Sequence, residues 1–88
     1  METEIEIRAA LKGIAAVIER ANGLHATMMD EGVDEASQDA ANVGYWAALN
    51  EIAAALVSVS RGAIDTETAL RMAHHQRGKV AALMARMA

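Results

Sequence analysis

The sequence contains no cysteine, no proline and no phenylalanine, and tryptophan and tyrosine occur once each among its 88 residues. The absence of cysteine excludes disulfide bonds and thiolate metal sites. Alanine, the best helix former, fills 21 positions, so with proline missing the composition favours α-helices throughout. A chain of this length forms one domain with a small core, and such domains are often completed by oligomerisation.

Charge is distributed unevenly along the chain, whose net charge is −4. Residues 1–50 carry nine acidic and three basic side chains, whereas residues 51–88 carry three acidic and five basic ones. An acidic protein is a poor candidate for nucleic-acid binding, because such binding depends on neutralising phosphates. The glutamate-rich start, METEIEIR, differs from the basic start of a secretory signal, so we expect a cytoplasmic protein.

Apolar periodicity predicts three helices, over residues 3–29, over residues 34–61 and from residue 65 to the C-terminus. The apolar positions of the first helix alternate in steps of four and three: Ile7, Leu11, Ile14, Ile18 and Ala21. The dipeptide Asn22-Gly23 could end this helix early. The apolar stripe continues beyond it, however, and favours an unbroken helix.

The second predicted helix is apolar on nearly all sides. Its main stripe follows the same spacing and consists of Tyr45, Leu49, Ile52, Leu56 and Val59. Flanking alanines widen this stripe, so we expect the helix to be central and covered on several sides. Residues 40–60 are numerous enough to cross a bilayer, but the segment contains Glu51 and other polar residues. We therefore expect a buried helix and no membrane span.

These patterns predict an all-α protein in which residues 1–88 form a single helical domain. The expected architecture is a three-helix bundle, or a long helical hairpin with a third helix packed against it. A helix of about 27 residues is ~40 Å long, which exceeds the needs of a compact monomer of 9.3 kDa. Because two copies could cover the surplus apolar surface by packing their long helices together, we expect a homodimer.

Two surfaces are candidates for partner binding. Four side chains of the third predicted helix recur at spacings of four, four and seven and should form a basic stripe: Arg71, His75, Lys79 and Arg86. Such a stripe suits a protein partner with an acidic surface. The second candidate is an exposed aromatic end of the second helix, at Tyr45 and Trp46, because aromatic residues and arginine dominate the binding energy of interfaces. Trp46 could instead anchor the core.

The segment MAHHQRGK, residues 72–79, contains the pattern that most suggests group-transfer chemistry. His74, Arg77 and Gly78 form H-x-x-R-G, which resembles the H-x-x-K-G core of histidine phosphotransfer domains, a family of four-helix bundles in two-component signalling. The resemblance implies that His74 accepts a phosphoryl group, that Arg77 stabilises the phosphate and that Gly78 leaves room for a response regulator. The other interpretation, which we favour, places both histidines on a solvated helix face.

No pattern indicates a metal, a cofactor or a catalytic constellation. Adjacent histidines on a helix point about 100° apart and do not readily share one metal ion, and neither a phosphate-binding glycine loop nor a nucleophile motif is present. We therefore predict a non-enzymatic protein that binds and regulates or inhibits a protein partner. The alanine content and the excess of arginine over lysine suit a bacterial or phage gene; a phage protein would inhibit a host complex in the host cytoplasm. A phosphotransfer module using His74 and a DNA-associated dimeric regulator are the alternatives.

Overall fold

The residues that the structure describes fold into four α-helices without a β-strand. This computed structural model describes the backbone of residues 4–87 and the side chains of residues 12–87. The all-α class predicted from composition is confirmed. The predicted apolar positions Ile7 and Leu11 lie outside the described side chains.

The helices are α1 (Glu4–Met29), α2 (Glu35–Val59), α3 (Thr66–His75) and α4 (Arg77–Met87). Helix α1 continues through Asn22 and Gly23 without a break, in agreement with its apolar stripe. The prediction of a single third helix is wrong. Gln76 adopts φ −133° and ψ 34°, which is outside the helical region, and divides that segment into α3 and α4.

The turn between α2 and α3 has a local cause in the sequence. Gly62 has a φ of +82°, a conformation that residues with a Cβ adopt only with strain. Asp65 then caps α3, because its carboxylate accepts a hydrogen bond from the backbone N–H of Thr68 at 2.8 Å.

Helix α2 is the central element and contacts each of the other three helices. Its buried side chains are Ala41, Tyr45, Ala48, Leu49, Ile52, Ala53 and Leu56. The other helices contribute Ile18, Ala21, Ala69, Ala73, Val80 and Met84 to the same core. Three of the seven buried positions of α2 are alanines, and a small side chain lets a neighbouring helix approach closely. The prediction of a central, widely covered second helix is confirmed.

The molecule is elongated, with principal extents of 47 × 25 × 17 Å. Its radius of gyration is 14.0 Å, whereas a compact chain of this length would have a value of about 12 Å. The cause is the length of α1 and α2, about 39 and about 37 Å, which pack against each other. Within residues 4–87, each helix is too short or too polar to cross a membrane.

Candidate functional site

Tyr45 lies where all four helices meet. Its side chain is fully buried on α2, and its hydroxyl oxygen is 2.7 Å from Nδ1 of His74 at the end of α3. The imidazole of His25 on α1 packs against the tyrosine ring, with 5.4 Å between ring centroids. The guanidinium carbon of Arg77, the first residue of α4, lies 5.0 Å from the centroid of the same ring. These four residues and Asn22 form what we call the Tyr45 network.

Arg77 joins this network to the backbone of α3. Its Nη1 donates to the Tyr45 hydroxyl and, at 2.8 Å, to the carbonyl oxygen of His74. Its Nε donates to Oδ1 of Asn22 at 2.8 Å. In a continuous helix, the His74 carbonyl would accept from the N–H four residues later. The guanidinium takes the place of that donor and so stabilises the end of α3.

The hydrogen bonds also assign the protons of the network. An arginine side chain only donates, so the Tyr45 hydroxyl oxygen accepts from Arg77. The proton of this buried hydroxyl finds an acceptor only when it points to its other partner, Nδ1 of His74. That arrangement requires the neutral His74 tautomer with its proton on Nε2. Among the described residues, each buried side-chain nitrogen or oxygen has a hydrogen-bond partner.

The surroundings of His74 oppose its protonation. Burial is the main cause that lowers its pKa below the usual value of 6.5, and electrostatic interactions with His75, Arg77 and His25 lower it further. Protonation would place a hydrogen on Nδ1, and the Tyr45 hydroxyl would then lose its acceptor. The network and the neutral form of His74 therefore support each other.

The outer side of the Tyr45 network is open to solvent. Trp46 is 41% exposed, and its ring centroid lies 5.1 Å from that of His74. Val43, one turn earlier on α2, is 72% exposed. His75 is exposed, and its ring centroid is 4.6 Å from that of His74. We call Val43, Trp46, His74 and His75 the Trp46 patch; it joins an apolar surface of α2 to two imidazoles of α3.

The expectation that Tyr45 and Trp46 form one exposed end is wrong for Tyr45. Consecutive residues of a helix point about 100° apart, and the register of α2 turns Tyr45 into the core and Trp46 outward. Of the two positions that the sequence leaves open for Trp46, core or surface, the structure has the surface one.

The expectation of a continuous basic stripe is also wrong, because the helix divides after His75. Arg71 and His75 are exposed on α3, where Arg71 forms an exposed ion pair with Glu67 at 3.3 Å. Lys79 and Arg86 are exposed on α4. These last two residues belong to a different surface feature.

That feature is a shallow groove of about 200 Å³ between α3 and α4. Its lining residues are Met72, Gln76, Lys79, Val80, Leu83 and Arg86. The aliphatic and thioether side chains make its floor apolar, the two cations make its rim basic, and none of the six side chains is acidic. We call it the α3–α4 groove.

The structure brings His74 and Arg77 together, as the H-x-x-R-G resemblance implies. Arg77, however, donates to Tyr45, to Asn22 and to the His74 carbonyl. Gly78 is exposed in the first turn of α4, and an added Cβ there would meet no atom within 4 Å. Among the described residues, no cluster of three or more His, Cys, Asp or Glu could hold a metal ion.

Sequence reasoning missed several members of the site. Val43 could have been found, because it lies three residues before Trp46 and so on the same face of the helix. Asn22 and His25 carry no such local signal. Asn22 meets its partner Arg77 across 55 residues of sequence, and only the packing of α1 against α4 brings the two together.

Fold and site together define a small all-α helical bundle whose four helices meet at a hydrogen-bonded tyrosine, with an exposed tryptophan beside it. Comparisons of the chain with protein-family models, with curated proteins and with solved structures found no match.

Proposed function

We propose that this protein is a non-enzymatic regulator or inhibitor that acts by binding a protein partner through the Trp46 patch. The proposal rests on the exposure of Trp46, the single tryptophan of the chain, next to the exposed Val43. Tryptophan is among the residue types most enriched at the energetic centres of interfaces, and exposed apolar surface marks interaction sites. For a phage-encoded protein, one of the two origins that the composition suits, the partner is a host protein complex.

The support beneath Trp46 is ordered before any partner arrives. Its ring packs edge-on against Tyr45, with 5.6 Å between centroids, and lies beside His74. Arg77 holds both of these residues through hydrogen bonds. A side chain fixed in its bound position loses less conformational entropy on association. Arg71, one turn before His75, adds a cation that suits a partner with an acidic surface.

We also propose that the protein is a homodimer. Helices α1 and α2 extend for about 39 and about 37 Å, so the molecule exposes much surface relative to its mass. Met29 at the end of α1 is 64% exposed, and a large apolar side chain in that position gains from being covered by a second copy. The partner-binding role and the dimer are separate proposals and are tested separately.

The arrangement of Arg77 favours partner binding over phosphoryl transfer at His74. To hold a phosphate, the guanidinium would have to leave Tyr45 and the His74 carbonyl, which it contacts now. A DNA-binding role is favoured less as well. The basic side chains are divided between α3 and α4, and the net charge of the chain is −4.

An affinity pull-down from bacterial lysate, read by quantitative mass spectrometry, tests the partner-binding proposal. The baits are the wild-type protein, Trp46→Ala and Met29→Ala; Met29 provides the matched control because it is another large exposed hydrophobic residue. We expect a partner that wild type and Met29→Ala enrich equally and that Trp46→Ala enriches at least about 10-fold less. Circular dichroism should show the wild-type helix content for Trp46→Ala. Equal enrichment by all three baits would contradict the proposal.

A further inference from the structure

The α3–α4 groove has the composition of a site for an apolar side chain flanked by acids. Met72, Val80 and Leu83 form its floor, and Lys79 and Arg86 stand at its rim. Met72 and Leu83 are only half-buried, so covering them removes apolar surface from water. The two cations add a preference for negative charge at the edges.

The end of α1 carries the complementary feature. Met29 is 64% exposed, and the exposed acids Asp30 and Glu31 follow it directly. The turn is held by two hydrogen bonds to Asp30: the Gly32 N–H donates to Oδ1 at 2.9 Å, and the Gln38 amide donates to the carbonyl oxygen at 2.7 Å. We call Met29, Asp30 and Glu31 the Met29 tip; the hydrogen bonds hold the turn in place at Asp30.

We propose that the Met29 tip of one copy inserts into the α3–α4 groove of a second copy. Met29 then covers the apolar floor, and the two acids of the tip lie beside Lys79 and Arg86. Methionine suits this role because its flexible thioether chain fills irregular apolar sites. Met29 does not occupy the groove of its own chain, because its side chain is 64% exposed. This proposal rests on the proposed homodimer and names its contact.

Two different surfaces close a dimer when a two-fold axis relates the copies, because each tip then meets the groove of the other copy. The elongated shape, 47 Å in its longest direction, allows two molecules to lie side by side in opposite directions. The charges of the two surfaces agree with this pairing. Asp30 and Glu31 of the tip are acidic, and Lys79 and Arg86 of the groove are basic.

Size-exclusion chromatography with light scattering tests the contact on the full chain. We expect wild type to have twice the mass of 9.3 kDa. The tip variant Asp30→Asn/Glu31→Lys retains an oxygen acceptor for Gly32, and the groove variant is Lys79→Glu/Arg86→Glu. Each should be monomeric, with a dissociation constant raised at least about 100-fold by like-charge contact.

A matched control reverses two exposed basic residues outside the groove, Lys12→Glu and Arg61→Glu. It has the same charge change as the groove variant and should stay dimeric. The decisive sample is an equimolar mixture of the tip variant and the groove variant. In the mixed dimer, one contact joins the tip that is now basic to the groove that is now acidic, and the other contact is wild type. Both contacts then pair opposite charges, so the dimeric mass should return. Thermal unfolding by circular dichroism confirms that each variant is folded.

A monomeric wild type at its highest soluble concentration would overturn the proposal. So would a dimer that persists in both charge-reversal variants, or a mixture that stays monomeric. The result is independent of the partner-binding proposal, because the two depend on different residues. Trp46→Ala should remain dimeric and lose binding to the partner. Met29→Ala should become monomeric and still bind the partner.

Discussion

Tyr45 contacts residues from all three other helices through one side chain. Its hydroxyl lies between Arg77 of α4 and His74 of α3, and its ring packs against His25 of α1. A buried hydroxyl with two partners is costly to remove, since each partner is left without its hydrogen bond. At the residue scale, the stability of the helix junction therefore depends on one oxygen atom.

Tyr45→Phe removes that oxygen and leaves the ring in place. We expect the free energy of unfolding to fall by about 1–3 kcal/mol, because Arg77 and His74 lose a buried partner. Urea unfolding followed by circular dichroism measures the change. Ser58→Ala, which removes an exposed hydroxyl from the same helix, should stay within about 0.5 kcal/mol of wild type. Equal stability of the two variants would show that the hydroxyl is unimportant.

His74 should make stability depend on pH. Its folded-state pKa is lowered by burial and by electrostatic interactions with His75, Arg77 and His25. Below pH 6.5, the unfolded chain therefore binds a proton that the folded chain does not yet bind, and this favours unfolding. The free energy of unfolding is therefore highest above pH 6.5 and decreases as the pH falls below that value. The contribution of His74 to this decrease ends once the pH is below its folded-state pKa.

Urea midpoints measured from about pH 8 to about pH 5 test this dependence. The variant His74→Gln should lose most of it, whereas His75→Gln, which leaves burial as the main cause of the shift, should retain most of it. The pKa of Asp65 is lowered by hydrogen bonding with Thr68. Its contribution to stability is lost only as the pH falls below about 3.8, so it does not interfere. An unchanged pH profile for His74→Gln would be inconsistent with the network.

At the scale of elements, the division between α3 and α4 creates both surfaces. It leaves His75 in the Trp46 patch on α3, whereas Lys79 and Arg86 lie on α4 and line the α3–α4 groove. An unbroken helix would have joined these residues in one stripe. The helices and turns themselves depend on local backbone conformation, as the two positions Gly23 and Gly62 illustrate.

Gly23 and Gly62 should respond in opposite ways to the same change. Gly23 lies inside α1, is exposed and has room for a Cβ, so Gly23→Ala should stabilise the protein by about 0.5–1 kcal/mol. Gly62 also has room for a Cβ, but its φ is +82°. Gly62→Ala should therefore destabilise the protein by about 1 kcal/mol. Thermal unfolding of the two variants in parallel measures both effects. A gain from both would mean that the turn does not need a left-handed residue.

At the scale of the whole molecule, stability depends on the burial of α2. Leu49 is fully buried in the shared core, whereas Val43 on the same helix is 72% exposed. Leu49→Ala should lower the free energy of unfolding by about 2–5 kcal/mol, because it removes buried methyl groups and leaves a cavity. Val43→Ala, the matched control, should change it by less than about 0.5 kcal/mol. Chemical unfolding measures both, and similar losses would show that α2 is not central.

Local spacing and composition were sufficient to predict several elements of the fold. The composition and the apolar stripes predicted the all-α class, the unbroken α1 and the central position of α2. These properties follow from helix propensity and from burial of one helix face, which neighbouring residues decide. The exposed position of Trp46 was one of two that the sequence left open.

The point at which the third helix divides, and the choice of which aromatic residue is buried, depend on contacts between helices. Arg77 stabilises the end of α3 by reaching Tyr45 and Asn22, which lie 32 and 55 residues away along the chain. No local pattern encodes such contacts. Tyr45 and Trp46 are neighbours with similar apolar character and point about 100° apart on the helix. This angle alone does not determine which of the two rings is buried, because that depends on where α1, α3 and α4 pack. The packing of those helices then buried one ring and left the other on the surface.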